Sequence, residues 1–251
     1  MTPSLLIFDL DGTVYQGNQV IAGAPEFFSQ LVSNNIRYIF ATNRADRRAE
    51  VVSEQLNLLG IACQPDQVIT SSMVAADMVA GQRVFAIGGE AVSYYLEQQG
   101  CVLASDQVDS VVVGFDPEIN LEKLTIATRL IKNGAHFIGT NPDPTILLDD
   151  GLMPECGALL GAIEISTNQK PKIVGKPEAA MIHFACKKAG VNPEQAIMIG
   201  DYLYTDIAAA NAAGCKSVLL LTGISTQEQL DSSDIQPSHV CSTYDELASY
   251  I

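Results

Sequence analysis

Residues 5–13 read Leu5-Leu6-Ile7-Phe8-Asp9-Leu10-Asp11-Gly12-Thr13, an apolar run that ends in two acids. Consecutive apolar residues followed by acids are typical of a buried parallel strand at its carboxyl end. In extended backbone, residues two apart point to the same face, so Asp9 and Asp11 are predicted to project together. Two carboxylates held that close repel each other unless a cation compensates, and an oxygen-binding cation such as Mg²⁺ suits them. The alternative is a simple strand-end turn, in which Asp and Gly are common.

Other polar residues follow apolar runs elsewhere in the chain. Thr42-Asn43 ends the run Tyr38–Ala41, and Gly200-Asp201 ends the run Ala196–Ile199. Because ligands of open α/β sheets bind outside the carboxyl ends of the strands, we expect Thr42 and Asp201 to converge with the acids of residues 5–13 on one crevice. Lys176 can reach this crevice from a flanking helix start. Acids suit a metal ion, whereas a hydroxyl and an ammonium suit an anion.

The composition indicates a folded, acidic protein. The chain has 251 residues, of which 47% are hydrophobic and 17% charged, so it can bury a sizeable core. Its formal net charge of -15 argues against nucleic acid or an anionic membrane surface as the main partner. A small anionic substrate then needs local positive charge from a metal ion, a lysine or backbone amides.

Cysteine usage and the N-terminus indicate the compartment. The chain has 6 cysteines, and their spacing, without a C-x-x-C pair, suggests neither a zinc site nor a disulfide framework. Most of them lie in apolar stretches, which predicts buried free thiols in a reducing cytoplasm. The first apolar run is short and no cationic region precedes it, so we expect no signal peptide. No apolar stretch approaches the roughly 18 residues that span a bilayer, so we expect no membrane partner.

Strand-like and helical stretches alternate along the chain, which predicts an α/β fold with parallel strands. Helices are predicted from Ala24 to Asn34 and from Ala45 to Gly60. A complete second α/β pattern then separates the Asp9 and Thr42 strands from the Lys176 and Asp201 segments. The simplest arrangement is a core from residues 1–78 plus 174–251, with a second domain inserted at 79–173.

Taken in chain order, four motifs resemble those of the haloacid dehalogenase-like hydrolases: Asp9-x-Asp11-Gly12-Thr13, Thr42, Lys176-Pro177 and Gly200-Asp201-x-x-x-Thr205-Asp206. The segments Ala135–Asp143 and Val218–Thr226 look like those of the NagD-like phosphatases, and the resemblance covers nearly the whole chain. It implies a Rossmann-like parallel-sheet core with an inserted smaller α/β cap domain of class IIA.

The resemblance also implies a Mg²⁺-dependent phosphatase acting on a small phosphorylated metabolite, such as a nucleoside monophosphate or a sugar phosphate. Asp9 is then the nucleophile that forms an aspartyl-phosphate, and Asp11 is the general acid and base. Mg²⁺ is then held by the Asp9 carboxylate, the Asp11 backbone carbonyl and the Asp201 carboxylate.

Phosphoryl oxygens, by the same resemblance, bind to Thr42, the Asn43 backbone amide and Lys176. Asp206 is expected to orient Lys176 or a metal-bound water, although capping of the following helix explains an aspartate there equally well.

The cap is expected to supply selectivity, with Asn141, Asp143 and the segment 154–157 on substrate-facing loops. Polar turn residues explain these positions equally well. Tyr202 departs from the family pattern, because relatives usually carry Asn or Arg after the metal-binding aspartate. A polar contact from this position is therefore in doubt.

Arg44 departs from the pattern as well, because a small or polar residue is common there, and Arg47 and Arg48 follow closely. These cations either attract an anionic substrate or form a solvated face paired with Asp46 and Glu50.

Two other classes of function stay open. A phosphomutase or phosphotransferase shares the nucleophile and metal but passes the phosphoryl group to a second alcohol. A catalytically silent binding module is the other alternative, and the presence of both Asp9 and Asp11 argues against it. Asp11 also favours an alcohol leaving group over a halide, which leaves unprotonated. The motifs leave the substrate and the oligomeric state open.

Overall fold

Strands and helices alternate in the computed structural model of the protein, which describes residues 3–148 and 151–251. The strands are β1 (Leu5–Phe8), β2 (Tyr15–Gln16), β3 (Gln19–Val20), β4 (Tyr38–Thr42), β5 (Val68–Thr70), β6 (Arg83–Ile87), β7 (Val102–Leu103), β8 (Ser110–Val113), β9 (His136–Gly139), β10 (Thr145–Leu148), β11 (Gly151–Pro154), β12 (Lys172–Ile173), β13 (Ala196–Gly200), β14 (Lys216–Leu220) and β15 (His239–Cys241). The helices are α1 (Ala24–Ser33), α2 (Ala49–Leu58), α3 (Ser71–Met78), α4 (Glu90–Gln98), α5 (Leu121–Lys132), α6 (Cys156–Thr167), α7 (Ala180–Ala189), α8 (Ala208–Ala213), α9 (Gln227–Ser232) and α10 (Tyr244–Tyr250). None of the helices in the described ranges has the length and apolar character that a bilayer crossing requires.

The chain divides into two compact units. The first comprises the chain up to Thr42, Ala49–Ile69 and Lys176–Ile251, and the second comprises Asn43–Arg48 and Thr70–Gly175. The division into a catalytic core of residues 1–78 plus 174–251 and a cap of residues 79–173 stays a prediction.

The first unit is built on a six-stranded sheet with the order β15-β14-β13-β1-β4-β5. Strand β1 lies between β13 and β4 and is parallel to both, with Phe8 opposite Ile199 on one side and Phe40 on the other. All four residues of β1 are buried, as expected for a central parallel strand covered on both faces. The carboxyl ends of these three strands therefore meet at one edge, and the predicted α/β class with a parallel-sheet core is confirmed.

Aromatic side chains form the core on one side of this sheet. The Phe8 ring lies 4.8 Å from the Phe28 ring of α1, and Phe28 lies 5.2 Å from Phe40. Tyr244 of α10 joins the cluster, and its hydroxyl donates a hydrogen bond of 2.9 Å to the backbone carbonyl of Thr13. The C-terminal helix thereby fixes the loop that follows β1, next to the predicted catalytic residues.

The second unit contains a five-stranded parallel sheet with the order β12-β9-β8-β6-β7. Apolar residues of β8 pack with those of α5 and α6, among them Val111, Ile131 and Leu160. A separate antiparallel pair, β10 and β11, leads into α6. The second unit therefore has an apolar core of its own.

One helix begins later than predicted. The expected helix over 45–60 is observed as Ala49–Leu58, so the first four residues of that prediction are not helical. Residues 43–48 belong to the second unit, where the carboxylate of Asp46 accepts two hydrogen bonds from the Arg44 guanidinium. That local pairing holds the segment outside the helical conformation.

All six cysteines are buried free thiols, as predicted. Burial raises the pKa of Cys63 and Cys215 to about 12, so both stay protonated thiols at neutral pH.

Candidate active site

Three neighbouring strands of the first unit end in polar side chains at one edge of the sheet. Asp9 follows β1, Thr42 ends β4 and Asp201 follows β13. The Asp9 N–H donates a hydrogen bond of 2.9 Å to the carbonyl of Ile199, so the ladder continues to the aspartate itself. All three side chains are buried, with 8%, 2% and 1% exposure for Asp9, Thr42 and Asp201. The sheet order therefore brings these sequence-predicted residues to the same edge.

Lys176 lies among the acids of this edge. Its ammonium donates hydrogen bonds to Asp9 Oδ1 at 2.5 Å and to Asp206 Oδ1 at 2.7 Å. A third bond of 3.0 Å goes to the carbonyl of Ala41, the residue before Thr42. Burial alone would lower the pKa of Lys176, but Asp206 and Asp9 raise it above its ordinary value. Lys176 therefore stays a buried cation at neutral pH.

Asp201 is held by donors from two loops. Its Oδ1 accepts a bond of 3.2 Å from the Thr13 hydroxyl, and its Oδ2 accepts one of 2.6 Å from the Ile224 N–H. Gly12 has φ +84°, and a Cβ built there would overlap the Asp201 carboxylate, as would one at Gly223. Both positions therefore require glycine for space, and Gly12 requires it for its backbone conformation as well.

Three carboxylates of the first unit lie close enough to share a cation. The ligand oxygens of Asp9, Asp201 and Asp206 all lie within 4.8 Å of one another. Burial raises the pKa of Asp9, with Asp206 and Asp201 acting in the same direction and Lys176 opposing them. Burial and Asp206 likewise raise the pKa of Asp201 to about 7. Because buried oxygens of like charge favour a hard divalent cation, this donor set fits the class of metal predicted from the sequence.

Asp11 differs from these buried acids because it is exposed to solvent. It forms an isolated bridge with Tyr15, at the start of the β2–β3 pair. The resemblance assigns the backbone carbonyl of Asp11 to the metal and its carboxylate to proton transfer, and both assignments stay predictions.

Asp206 lies in a π-helical turn, Leu203–Ile207, that precedes α8. Its Oδ1 accepts from Lys176, and its Oδ2 accepts a bond of 3.1 Å from the Tyr202 N–H. Because this contact of Tyr202 uses the backbone, its departure from the family pattern leaves the contact intact. The Tyr202 ring packs edge-on against Tyr204 at 5.7 Å.

The remaining predicted site residues lie together in the second unit. The side-chain amide of Asn43 donates a bond of 2.9 Å to Asp143 Oδ2, and that of Asn141 donates one of 3.0 Å to the Asn43 carbonyl. Asn141 is 1% exposed, and Asp143 is half-buried. Of the segment 154–157, Pro154 ends β11, Glu155 caps α6, and the last two residues open that helix.

The three arginines after Asn43 are mostly engaged with acids. The Arg44 guanidinium binds both oxygens of Asp46, and Arg47 lies 4.0 Å from the same carboxylate. Arg48 pairs with Glu90 at 3.6 Å and stacks over the Tyr94 ring at 4.5 Å. Pairing with Asp46 therefore occurs as expected for Arg44 and Arg47, whereas Arg48 pairs with Glu90 instead of Glu50.

Residues 222–224 position the site, although the sequence pattern alone gives them no functional role. The Thr222 hydroxyl donates a bond of 2.7 Å to the Gly12 carbonyl, and Ile224 donates to Asp201. These residues follow β14, a neighbour of β13, at the same carboxyl edge. That strand-end position is the signal that identifies them.

Comparisons with known proteins identify the family of this chain. A model described as haloacid dehalogenase-like hydrolase matches residues 6–102, and one described as HAD-hydrolase-like matches residues 173–247. An acid sugar phosphatase of Staphylococcus saprophyticus is 35% identical over 246 residues, which cover 96% of this chain and 95% of that protein. NagD from Escherichia coli K-12 has a TM-score of 0.93 at 30% identity, with 98% of both chains covered. The glycerol phosphate phosphatase of Mycobacterium tuberculosis, solved in complex with calcium, has a TM-score of 0.92 at 32% identity, covering 98% of this chain and 74% of that chain.

Motifs, fold and relatives lead to the same family. The relatives match nearly the full length of the chain, and the two family models match its first 102 residues almost completely and most of the residues after 172. Asp9 and Asp201 follow strand ends, and Lys176 bonds to Asp9 and to Asp206. The chain belongs to the haloacid dehalogenase-like hydrolases and, within that superfamily, to the NagD-like phosphatases.

Proposed function

We propose that this chain hydrolyses a small phosphate monoester through an aspartyl-phosphate on Asp9, with Mg²⁺ as its cofactor. The observation that carries the proposal is the position of Lys176, a buried cation bonded to both Asp9 and Asp206. It provides the fixed positive charge that a phosphoryl group needs beside a carboxylate nucleophile. Two relatives, an acid sugar phosphatase and a glycerol phosphate phosphatase, support a small phosphorylated substrate.

The reaction has two steps. In the first, a carboxylate oxygen of Asp9 attacks phosphorus, the bond from phosphorus to the alcohol oxygen breaks, and Asp11 gives its proton to the departing oxygen. In the second, Asp11 takes a proton from water, the water oxygen attacks phosphorus, and the bond to Asp9 breaks to release inorganic phosphate. The buried Asp9 and the exposed Asp11 suit these tasks, because the nucleophile is shielded while the acid exchanges protons with solvent.

The phosphoryl oxygens are bound by Lys176, Thr42 and the backbone N–H of Asn43. Lys176 stays protonated at neutral pH because Asp206 and Asp9 raise its pKa. Asp206 orients this ammonium through its bond of 2.7 Å. Charge that develops on the phosphoryl oxygens in the transition state therefore meets donors that are already in place.

A divalent cation is held by Asp9, Asp201 and the backbone carbonyl of Asp11 in this proposal. Three buried carboxylates with one buried ammonium support it, because the acids exceed the lysine in charge. When bound, such a cation offsets the repulsion between the nucleophile and the phosphate dianion. Oxygen ligands and a phosphate substrate favour Mg²⁺ among the divalent cations.

Substrate selectivity is assigned to the second unit, with the core in residues 1–78 plus 174–251 supplying the chemistry. Asn141 and Asp143 are the proposed contributors on this side. The relatives' names favour a sugar phosphate or a polyol phosphate as the first substrates to test.

The test is to trap the intermediate. The wild-type enzyme is mixed with p-nitrophenyl phosphate and Mg²⁺, quenched in acid within milliseconds and digested, and phosphorylated peptides are identified by mass spectrometry. We expect one phosphate on the peptide that contains Asp9, and Asp9→Asn should lose it together with turnover, by about 10⁴-fold or more. Asp66→Asn, a change at an exposed acid of the same unit, is the matched control and should behave as wild type. Near-normal turnover of Asp9→Asn, or phosphate on another residue, would show that the covalent mechanism is wrong.

A further inference from the structure

A buried carboxylate of the second unit has no task in the proposed mechanism. Glu155 caps α6 and is only 4% exposed. One carboxylate oxygen accepts a hydrogen bond from the Cys156 N–H, and the other accepts one of 3.2 Å from the side-chain amide of Asn141. Since a buried acid is costly unless its oxygens are paired, these two donors fix the orientation of the carboxylate.

Asn141 passes this constraint on to Asn43. The same side-chain nitrogen of Asn141 also donates a bond of 3.0 Å to the Asn43 carbonyl, which accepts a second bond of 2.6 Å from the Ser71 hydroxyl. The Asn141 side-chain oxygen accepts a bond of 2.9 Å from the Asp143 N–H. Both hydrogens of the Asn141 amide are therefore used, and its orientation depends on Glu155.

Asn43 and Thr140 also lie close to Gly175, the residue before Lys176. A Cβ built on Gly175 would overlap the Thr140 carbonyl and the side-chain oxygen of Asn43. Asn43 follows Thr42 in the chain, and Gly175 precedes Lys176. The network therefore bonds to Asn43, the neighbour of Thr42, and approaches Gly175, the neighbour of Lys176, too closely for any larger residue there.

We propose that Glu155 is a positioning residue for phosphoryl binding, acting through Asn141 on the backbone of Asn43. The inference rests on the proposed function, which assigns the N–H of Asn43 to a phosphoryl oxygen. Glu155 touches neither substrate nor metal in this role. It keeps the Asn141 amide in the orientation that holds the Asn43 carbonyl. The backbone of Asn43 is thereby fixed, and its N–H is positioned to donate to a phosphoryl oxygen.

The negative charge of Glu155 strengthens the hydrogen bonds that its carboxylate accepts. Burial raises the pKa of Glu155 to about 7, although the bonds from Asn141 and from the Cys156 N–H lower it. The carboxylates of Asp143 and Asp46 raise that pKa further. Above about pH 7 the residue is therefore an anion with two acceptor oxygens, and below it a neutral acid with weaker acceptors.

Glu155→Gln is the central variant, because it keeps the shape and removes the charge. Its amide NH₂ group cannot accept, so it can satisfy only one of the two donors. We expect the KM for p-nitrophenyl phosphate and the inhibition constant of inorganic phosphate to rise about tenfold at about pH 8.5, the scale of one hydrogen bond to a charged group. The ratio of variant to wild-type constants should fall towards one at about pH 5.5, because wild-type Glu155 is then protonated too. The ligand's own titration cancels in that ratio.

A double-variant comparison and hydrogen–deuterium exchange distinguish a positioning role of Glu155 from a general loss of structure. Asn141→Ala should raise the same constants, and the double variant Glu155→Gln/Asn141→Ala should be no worse than Asn141→Ala alone. Hydrogen–deuterium exchange of peptides covering residues 41–46 should speed up in Glu155→Gln. It should also speed up in wild type below about pH 7, after correction for the intrinsic exchange rate. Glu164→Gln, the same chemical change on the same helix, should leave every readout at its wild-type value.

Three outcomes overturn the inference: a constant ratio across pH, additive effects in the double variant, or unchanged exchange of residues 41–46. The wild-type exchange experiment needs neither a variant nor turnover. If exchange of residues 41–46 does not change below about pH 7, the inference is overturned even if the variants fold poorly. A wild-type protein that fails to hydrolyse phosphate monoesters would instead refute the proposed function, and the exchange data would still report on Glu155.

Discussion

Replacing Lys176 by Met tests how much the buried acid cluster depends on its lysine. Methionine keeps most of the apolar stem but removes the ammonium, so Asp9 and Asp206 lose their cation and the Ala41 carbonyl loses a donor. Breaking a buried ion pair on one side costs about 3–5 kcal/mol. An unsatisfied buried carbonyl costs about 1–3 kcal/mol, although part of that cost is shared with the ion-pair figure.

We therefore expect the free energy of unfolding of Lys176→Met to fall by about 3–5 kcal/mol in metal-free buffer. For a protein of this size the melting temperature should drop by about 6–20 °C, which differential scanning calorimetry measures directly. Phosphatase activity should be lost as well, because the phosphoryl group loses its fixed cation.

A second variant makes the reasoning refutable. In Lys176→Met/Asp206→Asn, one of the stranded carboxylates becomes neutral, so part of the lost stability should return even though a second site has been altered. Added Mg²⁺ should stabilise Lys176→Met more than wild type, because its acids are less compensated. A Lys176→Met protein that melts within about 2 °C of wild type, or a double variant less stable than the single one, would refute the account.

The other predictions concern metal and selectivity. Activity should vanish in excess chelator and return with Mg²⁺, and full activity in chelator would contradict the metal assignment. Asp201→Ala should need far more Mg²⁺ for half-maximal activity, because an oxygen-ligand site loses a carboxylate. Titration of activity against Mg²⁺ measures this difference. Replacing residues 79–173 by a short linker should leave a trace of activity on p-nitrophenyl phosphate and no preference among phosphorylated metabolites. A soluble variant of this kind that ranks a substrate panel as the parent does would show that selectivity lies in the remaining chain.

The convergence of Asp9, Thr42 and Asp201 could be predicted because each follows an apolar run, and parallel strands end at a common edge. Lys176 was harder to place, since it lies in a turn, and its contacts with Asp9 and Asp206 follow from folding and not from spacing. The roles given to these residues remain predictions, although their positions are now known.

The division at residues 43–48 could not be predicted from periodicity. Ala45–Arg48 continues the helical pattern of the following residues, yet these residues belong to the second unit. The pairing of Arg44 with Asp46 and the bonds from Ser71 and Asn141 to Asn43 decide their conformation. Such contacts join residues up to 98 positions apart, so no local pattern contains them. For the same reason, the sequence predicts no individual role for Glu155 within the segment 154–157.

The order of strands also shapes how this chain is made. Strand β1 pairs with β4, which is synthesised soon afterwards, but its other neighbour is β13, almost two hundred residues later. The sheet of the second unit, from β6 to β12, leaves the ribosome in between, and domains generally fold as units during synthesis. The nascent strand Leu5–Phe8 therefore lacks its partner on one side until Ala196–Gly200 has been synthesised. An apolar strand with an unpaired edge is prone to pair with other chains, so a chain truncated before Ala196 is expected to aggregate more readily than the full chain.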